Sequence, residues 1–178
     1  MRPAGRPGRH WAEGFPPVEP RRARVLILGS LPGAESIRRG EYYGHPRNAF
    51  WPIMGGLYGA GPDLPYPQRL KKLAARGIIL WDVLRAAERK GSLDSAIHPR
   101  RAEPNDIPAL LARHPDLRRI VFNGAAAERL FRRYAAAACG DRLAGVDQVR
   151  LPSTSPAHAS RSFEDKLALW RAALAAAR

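Results

Sequence analysis

The chain has 178 residues, enough for one domain with a sizeable core, and its single cysteine, Cys139, excludes an internal disulfide, a Cys-rich zinc site and a self-contained iron–sulfur cluster. Thirty Lys and Arg against 16 Asp and Glu give a net charge of +14, which favours a polyanion partner through counterion release; almost all of that charge is Arg, however, a bias that GC-rich coding also produces. No apolar stretch nears the roughly 18 residues of a membrane span, and the N-terminus has charges and prolines where a signal peptide has its apolar core, so the expectation is a soluble, cytoplasmic protein.

Residues 1–24 hold five prolines and six arginines with little apolar content, too little to offset chain-ordering entropy, and read as a flexible basic arm. Residues 25–178 then form a single domain. It opens with "RVLILGS", a short apolar run typical of a strand buried on both faces. Pro32-Gly33 forces a turn, "AESIRRGEYYG" is a loop or short helix, and Pro46 sits at the first position of a helix carrying Phe50, Ile53, Met54 and Leu57. "PYPQRLKKLAARG" reads as a helix ended by Gly77, and "IILWDVL" as a second buried strand. The following "RAAERKGSLDSAIHPRRAEPND" is too polar and turn-rich for core and reads as a functional loop. A helix over "IPALLARHP", a third strand "RRIVFNG", a helix over "AAAERLFRRYAAAA" and a fourth strand "DQVRLPST" lead into "STSPAHASRS". The last helix starts near Ser162, with Asp165 completing a capping-box-like pair and Phe163, Leu167, Trp170 and Leu174 forming one stripe.

Strands alternating with helices predict an α/β fold with a mostly parallel sheet covered on both faces, whose ligands sit beyond the carboxyl ends of the strands. Those ends deliver Gly29-Ser30, Trp81-Asp82, Asn123-Gly124 and Ser153-Thr154-Ser155 to one rim. Asn48 is either a turn or capping residue or an amide whose carbonyl orients a water. Tyr42 and Tyr43 are either buried aromatics or a stacking platform for a planar ring. Asn123 either satisfies nearby loop backbone or reads one edge of a base, and Asp82 either ties down a loop or accepts from a ring N–H. His158 is a candidate general acid or anion stabiliser, or a solvated or phosphate-bonded side chain. "GSLPG" lacks both the Lys-Ser/Thr of a P-loop and the spacing of a dinucleotide site, and Ser153, Ser155 and His158 lack the G-x-S-x-G elbow of a serine hydrolase.

The pair "GSLPGAESIRRGEYYGHPRNAFW" and "LPSTSPAHAS" resembles the two active-site motifs of the uracil-DNA glycosylase superfamily, and within it the DNA-deoxyinosine (hypoxanthine-DNA) glycosylases. "LWDVL", "GSLDSAI", "EPNDI" and "VFNG" support the resemblance, which covers residues 24–175. It implies a three-layer α/β/α sandwich around a short, mainly parallel four-stranded sheet. It also implies a monomeric, cofactor-free and metal-free enzyme of base-excision repair that flips a deaminated base, chiefly hypoxanthine, from DNA and hydrolyses its N-glycosidic bond. Where relatives carry the Asp of "GQDPY" or the Asn of "GINPG", this chain has Ser30-Leu31, so the resemblance moves water positioning to Asn48, which matches the family's P-x-N-x-F-W pattern.

The same resemblance implies that Gly29, Pro32 and Gly33 shape a loop against the nucleotide and that Tyr43 stacks on the base; Ser30, Asp82 and Asn123 are the other expected base-binding residues. Ser153, Thr154, Ser155, Arg161 and Arg47 are expected on the DNA backbone. Leaving-group stabilisation stays open between His158, backbone N–H groups and protonation of the purine ring. No lysine lies in either motif, which argues for a monofunctional enzyme without strand cleavage. The alternatives are a uracil- or mismatch-directed glycosylase, a catalytically inert DNA-binding module and, third, a small-molecule hydrolase.

Overall fold

The computed structural model describes residues 10–175. Four strands, β2 (Val25–Gly29), β3 (Ile78–Asp82), β6 (Arg119–Asn123) and β7 (Asp147–Leu151), form a wholly parallel sheet in the order β3-β2-β6-β7. Every residue of β2 and β3 is buried, as expected of strands covered on both faces. The covering layers are α1 (Ala34–Arg39), α2 (Phe50–Tyr58), α3 (Tyr66–Ala74), α4 (Ile107–Arg113), α5 (Ala125–Tyr134), α6 (Ala136–Cys139) and α7 (Phe163–Ala175), giving the three-layer α/β/α sandwich expected. Phe50, Phe122, Phe131 and Trp170 are among the largest fully buried side chains of the core. The Asp165 N–H donates to Ser162 Oγ at 3.0 Å, so the last helix is capped as its sequence predicts.

The chain runs from β2 to β3 on one side and returns to β6 on the other. The order of connection therefore reverses beside β2, which opens a crevice at the carboxyl ends of β2 and β6.

Four local expectations need correction. Residues 10–24 are not an arm: β1 (Trp11–Glu13) pairs antiparallel with β4 (Leu84–Arg89), Val18 bridges to Leu80, and the Phe15 carbonyl accepts from Trp81 Nε1. A few apolar contacts, with the exposed strand edge of β4 as template, suffice to order a Pro- and Arg-rich stretch; the rest of the expected arm, residues 1–9, lies outside the described residues. The polar stretch after β3 is not a loop. It forms β4 and β5 (Ile97–Pro104), which with β1 make a second, antiparallel sheet in the order β1-β4-β5. An edge sheet with one solvated face tolerates polar residues, and register shifts along β4–β5 break the alternation by which it would be recognised. Pro46 does not start a helix, because Asn48 Oδ1 accepts the Phe50 N–H at 2.9 Å in a local turn that delays α2 to Phe50. Phe163 leaves the α7 stripe, being 40% exposed, while Trp170 and Leu174 are buried.

Candidate active site

At the carboxyl ends of β2 and β6 lies a cavity of about 440 Å³, within the range of small-molecule and cofactor sites. Gly29, Ser30, Pro32 and Gly33 wall one side, Tyr43, His45, Arg47 and Asn48 another, and Asp82, Asn123 and Ser153 to Ser155 the rest. The two sequence motifs thus meet in space. The Thr154 carbonyl accepts the Ala49 N–H at 3.0 Å, joining them one residue beyond Asn48.

Asn48 borders the cavity with its amide held by the Phe50 N–H. That bond occupies one lone pair of Oδ1 and fixes the rotamer, leaving the second lone pair for a water. Tyr43 stacks on Phe50 with ring centroids 3.9 Å apart, and its backbone adopts the left-handed region at φ 55°. A bulky non-glycine residue there stores strain of about 1–3 kcal/mol, which the surrounding packing must offset. Tyr42, by contrast, is core: it donates from its hydroxyl to the Phe15 and Pro16 carbonyls and accepts from Trp51 Nε1 through its own carbonyl.

Two glycines permit the close approach of elements. A Cβ on Gly29 would lie 2.2 Å from Asp82 Oδ1, and one on Gly124, at φ 97°, would lie 2.9 Å from Ser153 Cβ. Asn123 uses Nδ2 to donate to Thr154 Oγ1 and Oδ1 to accept the Thr154 N–H, both at 2.9 Å. It clamps the second motif to β6.

Asp82 is 4% exposed, and its Oδ2 has no hydrogen-bond partner among the described residues. Desolvation by burial, reinforced by the Asp94 carboxylate and opposed by Arg89, pushes the Asp82 carboxyl up to about 8 from its usual 3.8. The folded chain therefore holds this proton between about pH 4 and about pH 8, where the unfolded chain has released it. The stability Asp82 allows is complete in acid and is lost as pH rises toward 8, with a slope of up to about 1.4 kcal/mol per pH unit. Asp82→Asn is expected to flatten this decline, and denaturant midpoints measured across that window check it.

The second sheet supplies the parts of the site that sequence reasoning missed. Arg89 is buried and donates to the carbonyls of Leu31, at 3.2 Å, Pro32 and Gly91. Burial lowers its pKa, while the carboxylates of Asp94 and Asp82 oppose the shift. Asp94 accepts the Ser30 hydroxyl at 2.6 Å, and Ser92 Oγ accepts the Ala34 N–H at 3.1 Å. The tip of the β4–β5 hairpin thus holds the Gly29–Gly33 loop in place. Leu93, between those two anchors, borders the cavity and is 58% exposed. His45 also borders it, its Nδ1 accepting the Arg47 N–H at 3.1 Å. The signals were present in "GSLDSAI" and in the His before Pro46, but nothing local says which way those side chains face.

His158, expected to be catalytic, is not among the residues lining the cavity. Its ring pairs with Ser160 Oγ at 3.1 Å, and its carbonyl accepts from Lys166 Nζ at 2.7 Å, which turns it into part of the loop's scaffold. Thr154, expected on the DNA backbone, is fully buried with its hydroxyl engaged by Asn123, so it holds the loop and does not face a phosphate. Ser153 and Ser155 remain on the cavity wall, and Arg47 and Arg161 are exposed. Among the described residues no three His, Cys, Asp or Glu side chains converge to hold a metal ion, and no helix is long and apolar enough to cross a membrane.

The family model described as Uracil DNA glycosylase superfamily matches residues 16–178. A hypoxanthine DNA glycosylase of Methanosarcina barkeri is 42% identical over 113 residues, 63% of this chain and 70% of that protein. One of Methanosarcina acetivorans is 46% identical over 112 residues, 62% of this chain and 70% of that protein. A solution NMR structure from Methanosarcina acetivorans, described as a candidate uracil DNA glycosylase, superposes with a TM-score of 0.73 at 37% identity, covering 94% of this chain and 98% of that one.

Proposed function

The chain belongs to the uracil DNA glycosylase superfamily, and on that basis we propose that it is a monofunctional DNA glycosylase hydrolysing the N-glycosidic bond of hypoxanthine in DNA. The observation that carries the reading is the convergence of Asn48 and Tyr43 on one cavity at the switch point of the sheet. The names of the two Methanosarcina relatives support the choice of base. A flipped nucleotide brings its base against Tyr43, whose ring is held flat by Phe50 beneath it. Asn48 Oδ1, fixed by the Phe50 N–H, orients a water toward the anomeric carbon of the sugar. As the C1′–N bond lengthens, positive charge builds on the sugar and negative charge on the base, and the water adds to the cationic carbon. Ser153 and Ser155 with the exposed Arg47 and Arg161 hold the phosphates, aided by the net charge of +14.

Flipping leaves a gap in the base stack that an apolar side chain stabilises by filling. Leu93, exposed at the cavity rim on a hairpin anchored at both sides, suits that role. Leu93→Ala is expected to slow release from a fully paired duplex about tenfold while leaving release from single-stranded DNA within about twofold, because only the duplex has a stack to open. Parallel single-turnover assays on the two substrates check this.

The function itself is tested by base release from labelled duplexes carrying one hypoxanthine, uracil or xanthine, read by alkaline cleavage of the abasic site. Release led by hypoxanthine supports the reading. Release led by uracil overturns the choice of base, and salt-sensitive binding without any release overturns the enzyme.

A further inference from the structure

Asp82 is the one carboxyl group that lines the cavity, is 4% exposed and has an oxygen with no partner among the described residues. Its Oδ2 satisfies no backbone group, while its own main-chain carbonyl already ties the neighbouring loop by accepting from Asn105 Nδ2 at 2.8 Å. A buried polar atom left unpaired is destabilising, and one that also lines a cavity is placed where a catalytic role or a bound group accounts for it. Gly29 is shaped around this carboxyl, since any side chain there would meet Oδ1 at 2.2 Å.

We infer that Asp82 is the general acid of the reaction, donating the carboxyl proton held in the cavity to the leaving purine. The inference rests on the glycosylase reading above. The C1′–N9 bond breaks with its electron pair going to the purine, the Asp82 O–H proton moves to a basic ring nitrogen, N3 or N7, and hypoxanthine leaves uncharged. Water adds its oxygen to C1′ and releases one proton to solvent, and Asp82 regains a proton from solvent when the product departs. Atoms and charge balance without a cofactor.

The groups facing Asp82 keep the proton in place at neutral pH. Asp94 on the hairpin opposes its ionisation, and burial outweighs the favourable charge of Arg89 on β4. Tyr42 and Tyr43, both held as neutral phenols by burial, face it from the loop before α2. A carboxylic acid kept neutral by an apolar site is an established route to proton donation near pH 7. It also fills the role that His158 leaves open by lying off the cavity.

The test compares wild type with Asp82→Asn, which preserves size and the ability to donate a hydrogen bond but has no acidic proton. Single-turnover hypoxanthine release is measured from about pH 6 to about pH 10, beside binding to a duplex with uncleavable 2′-fluoro-deoxyinosine. Wild-type rates are expected to fall above about pH 8. Asp82→Asn is expected to be about a hundredfold slower at neutral pH, without that alkaline fall, and to bind the uncleavable duplex within about threefold of wild type. Thermal denaturation confirms that the variant is folded. A variant that keeps the wild-type rate, keeps the alkaline fall, or loses binding as much as rate overturns the proposal while leaving the glycosylase intact. Absence of release by the wild type overturns the glycosylase reading itself.

Discussion

Asn48→Ala is expected to cut single-turnover hypoxanthine release by on the order of a thousandfold, the range in which positioning and activating a reactant contributes. The Asn48 amide is fixed by the Phe50 N–H at 2.9 Å, so its remaining lone pair has a set direction into the cavity. Alanine removes both the acceptor and the turn bond, and the lost turn bond costs about 1 kcal/mol of stability, far too little to unfold the chain. Asn48→Asp restores both acceptor functions and is expected to recover a large part of the rate, which a merely structural role would not predict for the chemical step. Equal binding of an uncleavable duplex by all three forms isolates the effect to chemistry. A fully active Asn48→Ala would transfer water positioning to the neighbouring His45 or to the Ser30 loop.

Arg89→Met is the second large effect. The guanidinium of Arg89 is buried and supplies donors to three carbonyls, two of them in the loop that forms one cavity wall. Methionine keeps the apolar stem and removes every donor, leaving the Leu31, Pro32 and Gly91 carbonyls without their partner. The expected loss of stability is about 3 kcal/mol, because removing one side of a buried charged network strands the other. Hypoxanthine release should fall on the order of a hundredfold, since the Gly29–Gly33 loop loses its tether to the second sheet. Chemical denaturation measures the first and single-turnover release the second. Unchanged stability would remove Arg89 from the account of the loop.

These two residues differ in how readable they were. Asn48 sits inside a dense motif, and its two candidate uses, turn and water, prove compatible in the geometry because one carbonyl oxygen has two lone pairs. Arg89 sits in a stretch whose composition reads as loop. Its burial follows from antiparallel pairing of β4 with both β1 and β5, and the register shifts of the β4–β5 pair leave no local period. Residues 10–24 carry no local strand signal for the same reason: a strand of three residues forms there only because β4 offers an edge.

The two histidines make the point within the site. His158 lies in the second motif, yet it points along the loop and helps anchor Lys166, whereas His45, which drew no assignment, borders the cavity.

What the sequence determined by itself is the central sheet, its four strand ends and the residues they carry to one rim. Those are properties of short apolar runs and turn residues, whose energetics are local. The second sheet, the clamp of Asn123 on Thr154, the tether of Arg89 on the Gly29–Gly33 loop and the burial that raises the Asp82 carboxyl to about 8 all come from the folded arrangement. Each depends on groups distant in the chain meeting away from water, where an unpaired donor or charge is strongly penalised and its partner is chosen by the fold.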